Sequence, residues 1–358
     1  MPVLFYIIAI TLLLVSFRKQ DEGTFLDKSS TNVIKGFFIL LIIFSHILNE
    51  FEYTGFLCKP LGYFRAILGQ LLVSMFFFIS GYGIFMSLEL KKDHYKKTFL
   101  INRFFRIFLY GVVGMIPYFI YSACIKEYHP VGDYFLSFIG LKYLDDHMWF
   151  LFAILFCYLV CGTLFLFNIK NKYTNFLIIS LSIVAYIAIM CILHQPAFIW
   201  NTIISFIFGM FVSMYKDKIL KMLKRNKIVD YSILVFTVVF IIIFQYINYL
   251  KVPLIFEILI MIVSNFSVCL FFVTLTFFFK FSSKSLGFIG KASFPIFITH
   301  PLIIFIFVKF NPIQNPSLNY FVLLILCICV GIPFFFIDKF IDNKIINPLL
   351  RNFSTESK

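Results

Sequence analysis

Charge is scarce in this sequence. Only 13% of its 358 residues are charged, and acids are the scarcer kind, 17 Asp plus Glu against 31 Lys plus Arg. With 61% of residues hydrophobic, the balance lies far outside that of an ordinary soluble domain. No stretch between apolar runs is long enough to hold a soluble catalytic domain, so none is expected. A nucleotide-binding glycine fingerprint, a long internal repeat and a low-complexity tract are all missing, which excludes a dinucleotide fold and a solenoid. The eight cysteines lack zinc-like spacing. Cys157 and Cys161 share one apolar run and Cys327 and Cys329 another, so packing is their expected role and no metal is expected. The first apolar run, 2–17, has no basic stretch before it and no small-residue cleavage site, and reads as a retained span rather than a signal peptide.

What is present is a series of apolar runs. Eleven are of spanning length or slightly less: 2–17, 33–51, 66–88, 104–124, 148–167, 175–193, 197–214, 231–249, 254–279, 294–310 and 318–340. The fold class expected is an all-α polytopic integral membrane protein with about eleven transmembrane helices in a single domain. A net charge of +14 suggests nucleic acid, but its distribution argues against that partner. With the loop 18–32 placed in the cytoplasm, 25 of the 31 Lys and Arg fall on the cytoplasmic side and 6 outside. This positive-inside bias puts the N-terminus outside and the C-terminal tail, 341–358, in the cytoplasm of a cell-membrane protein.

The second run carries ionisable groups where hydrocarbon is expected. Lys35 and His46 are eleven positions apart, close to three helical turns, so they share a face and are separated by roughly 16 Å. Asn49 and Glu50 follow His46 by three and four positions and are within reach of its imidazole. Such groups cost several kcal/mol at this depth unless paired or wetted, and by default they mark a functional site. His46 suits taking a proton from a hydroxyl, or forming a transient acyl-imidazole, with Glu50 or Asn49 fixing its tautomer.

Other candidates are weaker. Arg103 and Arg106 are placed at the entrance of the fourth span, on one face of a helix N-terminus, where two guanidinium forks and the dipole suit phosphates. Anchoring on anionic lipid is the alternative. The outer loop 125–147 holds Glu127, His129, Asp133, Asp145, Asp146 and His147 with three tyrosines, and leads into Trp149. These side chains suit hydrogen bonding to and stacking on a sugar, or equally a solvated loop with an aromatic belt. Gly81 and Gly83 permit close helix approach or a local break. Asn201, Gln245 and Asn265 are expected to hydrogen-bond between helices. In the tenth span His300 sits between Pro295 and Pro301, a functional candidate in a weakened helix or a structural histidine.

Taken in order, these features resemble membrane-bound acyltransferase family 3. The features are Lys35 ten intervening residues before His46, Phe76-Phe-Phe-Ile-Ser-Gly81, Arg103-x-x-Arg106, Trp149-Phe-Leu, and Ser293-x-Pro295 followed by His300-Pro301. The likeness covers about 30–340, with 2–17 an extra span beyond the family's usual ten. It implies an O-acetyltransferase that uses acetyl-CoA from the cytoplasm as co-substrate, with no tightly bound cofactor, and a surface or lipid-linked glycan as acceptor. By the same resemblance His46 is the essential histidine, Lys35 helps bind the donor, and Arg103 and Arg106 contact coenzyme A phosphates. The family's usual arginine before the histidine is Lys35 here, which keeps the charge and loses the fork. Some members carry an added extracellular hydrolase-like domain, which this sequence lacks. On the residues alone, a transporter or flippase for a lipid-linked sugar is the competing function.

Overall fold

In hydrocarbon an open chain can satisfy its own N–H and C=O groups only as a helix. The computed structural model describes residues 2–19, 25–51, 62, 69–126, 130, 132–133, 136, 148–167, 169, 171–223, 227–249, 253–310 and 316–355. Among them nearly everything is helical, and eight helices are long and apolar enough to cross a membrane. Each of the eleven apolar runs contains a helix. They are α1 (Pro2–Val15), α2 (Lys28–Glu50), α3 (Leu71–Phe99), α4 (Arg106–Ile125), α5 (Trp149–Leu166), α6 (Lys172–Ile192) and α7 (Ser205–Met214). After the short α8 (Lys216–Leu223) come α9 (Lys227–Tyr249), α10 (Leu254–Phe278), the short α11 (Lys284–Lys291), α12 (Ser293–Phe310), α13 (Pro316–Ile341) and the terminal α14 (Asn347–Thr355).

Two expectations are corrected. The basic stretch after the third run is not a loop: α3 runs to Phe99 and passes through a π-helical turn, Leu100–Phe105, directly into α4. Between Gly83 and Gly111 there is neither glycine nor proline to stop a helix, and the π turn absorbs the surplus residues. The run 197–214 is not one helix. It opens with a 3-10 turn, Ala197–Ile199, and unwinds over 201–204 before the ten residues of α7.

The chain divides into two compact units. The first comprises Met1–Phe85, Asn201–Ser293 and Ile313–Leu324. In it Asp27 caps α2 by accepting the Ser30 N–H at 2.7 Å. A two-stranded antiparallel ribbon, β1 (Phe17–Lys19) with β2 (Phe279–Phe281), ties the segments before α2 and α11. Ser30 accepts the Phe281 N–H at 3.2 Å, and Phe17 stacks on Phe279 at 4.7 Å. α11 lies against α2 so closely that a Cβ on Gly290 would collide with the Asn32 carbonyl, and one on Gly36 with the Leu286 carbonyl. Gly81 makes the same close approach to Phe206, whereas a Cβ on Gly83 would meet nothing within 4 Å.

A polar knot also holds this unit. The Asn265 carboxamide, fully buried, donates to the carbonyls of Asn201 at 2.9 Å and Met261 at 2.6 Å. Its oxygen accepts from Ser74 at 2.5 Å and Ser205 at 3.3 Å. Asn201 donates to Gln70. Asn201 and Asn265 thus bond between elements as expected, while the Gln245 side chain lies outside the described residues.

The second unit comprises Met86–Trp200, Phe294–Pro312 and Ile325–Lys358. Phe99 packs edge-on against Phe165 at 4.9 Å, and the Tyr118 hydroxyl donates to the Ile298 carbonyl at 2.9 Å. Residues 341–358, expected as a tail, contain a second π-helical turn, Asp342–Ile346, followed by α14.

The glycine contacts yield a stability prediction. Gly290→Ala forces α2 and α11 apart and should cost about 1–3 kcal/mol, whereas Gly83→Ala should leave stability unchanged or raise it. Thermal denaturation of both variants in detergent checks this.

Candidate functional site

From Val33 to Leu48 α2 is apolar apart from Lys35, Ser45 and His46, and so apolar a stretch seeks burial. From Ser30 to Leu48 every residue is buried except two, Lys35 and His46. Both are half-buried. Neighbouring protein covers the rest of the helix, with Phe272 against Phe38 at 4.8 Å and Tyr320 beside Phe44 at 6.2 Å. The two ionisable side chains are therefore the most open points of this stretch.

Glu50 differs from expectation. It is exposed at the last residue of α2, and the structure gives it no hydrogen bond or ion pair to a described residue. The four-residue spacing permits contact with His46, but at the last position of the helix Glu50 is exposed rather than turned to it. Asn49 is likewise exposed.

Lys35, His46 and Glu50 belong to the first unit; Arg103, Arg106, His300 and Trp149 belong to the second. The two arginines do not stand at a helix N-terminus, because the helix continues through them. The wider π turn also ends the shared face that three-residue spacing gives in an α-helix. Each guanidinium has its own partners. Arg103 Nε donates to the Tyr95 hydroxyl at 3.2 Å, and Tyr158 lies within its reach. Arg106 pairs with Asp342 at 2.9 Å, and the Tyr110 hydroxyl lies against the same carboxylate. Arg103 is held by neutral phenols, whereas the charge of Arg106 is matched by Asp342.

His300 is fully buried. Pro301 brings no N–H, so the carbonyl of Phe297, four residues earlier, loses its helical donor. His300 Nδ1 lies 2.7 Å from that oxygen. A carbonyl only accepts, so Nδ1 carries the proton and the imidazole repairs the ladder the proline interrupts. This is why α12 runs unbroken across Pro301, contrary to the expected weak point. With Nδ1 engaged, a neutral His300 has no second N–H with which to polarise a substrate carbonyl.

Of the suggested acceptor-binding residues, Asp145, Asp146 and His147 lie outside the described residues. Trp149 is 6% exposed at the start of α5, with Phe150 at 6.2 Å and Phe198 at 6.4 Å from its ring. Tyr95, Tyr110, Asp338 and Asp342 went unnoticed in the sequence. Two acids four residues apart at the end of an apolar run, on a side otherwise dominated by Lys and Arg, are the signal that points to the last two.

A family model described as an acyltransferase domain matches residues 28–336. The match opens on the first residue of α2 and leaves α1 and the β1 strand outside. No curated protein and no solved structure matches the chain.

The repair of α12 gives a double-mutant prediction. Pro301→Ala restores an N–H for the Phe297 carbonyl. His300→Ala should then cost about 1 kcal/mol less in the Pro301→Ala background than in the natural chain. Thermal stabilities of the four proteins measure the coupling, and additive effects would contradict the repair.

Proposed function

Because the chain belongs to acyltransferase family 3, and is thus an acyltransferase built of membrane helices, we propose that it moves an acetyl group from cytoplasmic acetyl-CoA to a hydroxyl of a surface or lipid-linked glycan. The observation that supports this most is the pair of openings on α2, at Lys35 and at His46. A reaction inside hydrocarbon needs a base that substrate can reach on a firmly packed frame, and His46, half-buried on a helix largely covered by its neighbours, suits that need.

As the acceptor oxygen bonds to the acetyl carbon, its proton passes to His46. The C–S bond of the thioester breaks and sulfur takes the electron pair. The proton held on the imidazole then neutralises the thiolate, returning His46 to its starting state. Lys35 contributes a positive charge near the cytoplasmic end of the same helix, suited to the anionic donor. Arg103 and Arg106 take donor phosphates, Arg103 more readily because its present partners are phenols. His300 keeps α12 continuous and acts at one remove. The donor enters from the cytoplasm and the acceptor approaches from outside the cell membrane, in line with the distribution of basic residues.

The base is the sharpest point to test. His46→Ala should lower acetyl transfer about 10²–10⁴-fold. Its thermal stability should stay near that of the natural protein, since a half-open side chain leaves no sealed cavity. The readouts are transfer from isotopically labelled acetyl-CoA and the melting temperature in detergent. Near-normal transfer by a folded His46→Ala protein would refute the assignment.

A further inference from the structure

Arg106 Nε and Asp342 Oδ1 are 2.9 Å apart, with 27% and 28% of the two side chains exposed. Both atoms are shielded, yet neither has a well-aligned hydrogen bond. A cation and an anion at this distance attract, but misalignment forfeits most of what a guanidinium fork gains from two parallel bonds. The contact joins the edges of the two π-helical turns: Arg106 follows Leu100–Phe105, and Asp342 opens Asp342–Ile346. π turns interrupt the regular ladder and are often found where a helix does more than support the fold. Around the pair stand the Tyr110 hydroxyl, against Asp342, and the carboxyl of Asp338 one turn earlier, only 5% exposed. Asp342 lies beyond the last residue of the family match.

We infer that Asp342 is a latch on the donor site, its carboxylate occupying the Arg106 guanidinium in place of a donor phosphate until a phosphorylated donor displaces it. The inference rests on the reading of Arg106 as a donor contact. Carboxylate and phosphate compete for the same planar fork. A phosphate that aligns with Nε and a terminal nitrogen gains hydrogen bonds that Asp342 does not make. Tyr110 makes the exchange cheaper, because its hydroxyl remains beside Asp342 when the guanidinium turns away.

The test is coenzyme A binding, by titration calorimetry on the full chain in detergent. Asp342→Asn keeps the shape and removes the charge. Loss of a partly exposed ion pair should make coenzyme A bind roughly 2- to 5-fold tighter. Tyr110→Phe takes away the second neighbour of Asp342 and should weaken binding, while Arg106→Lys should weaken it further. Melting temperatures confirm that each variant is folded, and Tyr110→Phe tests the latch if Asp342→Asn does not fold. Weaker binding by Arg106→Lys with no gain in Asp342→Asn and no loss in Tyr110→Phe overturns the latch and leaves the donor reading intact. Equal binding by the natural protein and Arg106→Lys, or no binding at all, overturns the donor reading and the latch with it.

Discussion

Hydrocarbon solvates polar groups poorly, so those that this chain carries into the membrane gain most by finding partners within the protein. Most of the structure follows from that demand. Asn265 spends its carboxamide on four hydrogen bonds across three segments. The carbonyl left over by Pro301 is met by His300. Arg103 is met by a phenol and Arg106 by a carboxylate. Where backbones approach one another, glycine removes the side chain that would keep them apart, as at Gly36 and Gly290. Against this background Lys35 and His46 stand out, since both are ionisable and both keep a half-open side chain on a helix otherwise sealed.

The separation of roles follows from this contrast. A polar side chain whose bonds go to the fold has less left for chemistry, and the Nδ1 of His300, held by the Phe297 carbonyl, is of that kind. One that remains reachable while its helix is fixed on every side can act on a substrate without a cost in reorganisation. In the proposed reaction, α2 is to meet that condition at Lys35, for the donor's charge, and at His46, for the acceptor's proton.

Much of this was legible in the sequence, because hydropathy and charge placement report the demands of the bilayer directly. The spans, their helical class and the bonds of Asn201 and Asn265 could all be read that way. The misreadings share a cause. Spacing says which side chains are able to meet, and not which partner is preferred. Glu50 could reach His46 by its position yet stays exposed, and Arg103 and Arg106 share a face only in a regular α-helix, which the π turn here is not. The histidine's hold on the Phe297 carbonyl was hidden in the His-Pro order, where proline's missing N–H was counted as a break and the neighbouring donor was not. Asp342 was out of sight because its partner is more than two hundred residues away along the chain.

The account turns on α2 being closed except at Lys35 and His46, and accessibility tests that directly. Single cysteines placed at 34, 35, 36, 45, 46 and 47 can be exposed to a small water-soluble maleimide in native membranes, with labelling above the natural chain's background read by mass spectrometry. Lys35→Cys and His46→Cys should react, and the four neighbours should stay unlabelled until the protein is denatured. Equal labelling along the helix, or protection of His46→Cys to the level of Ser45→Cys and Ile47→Cys, would contradict the account.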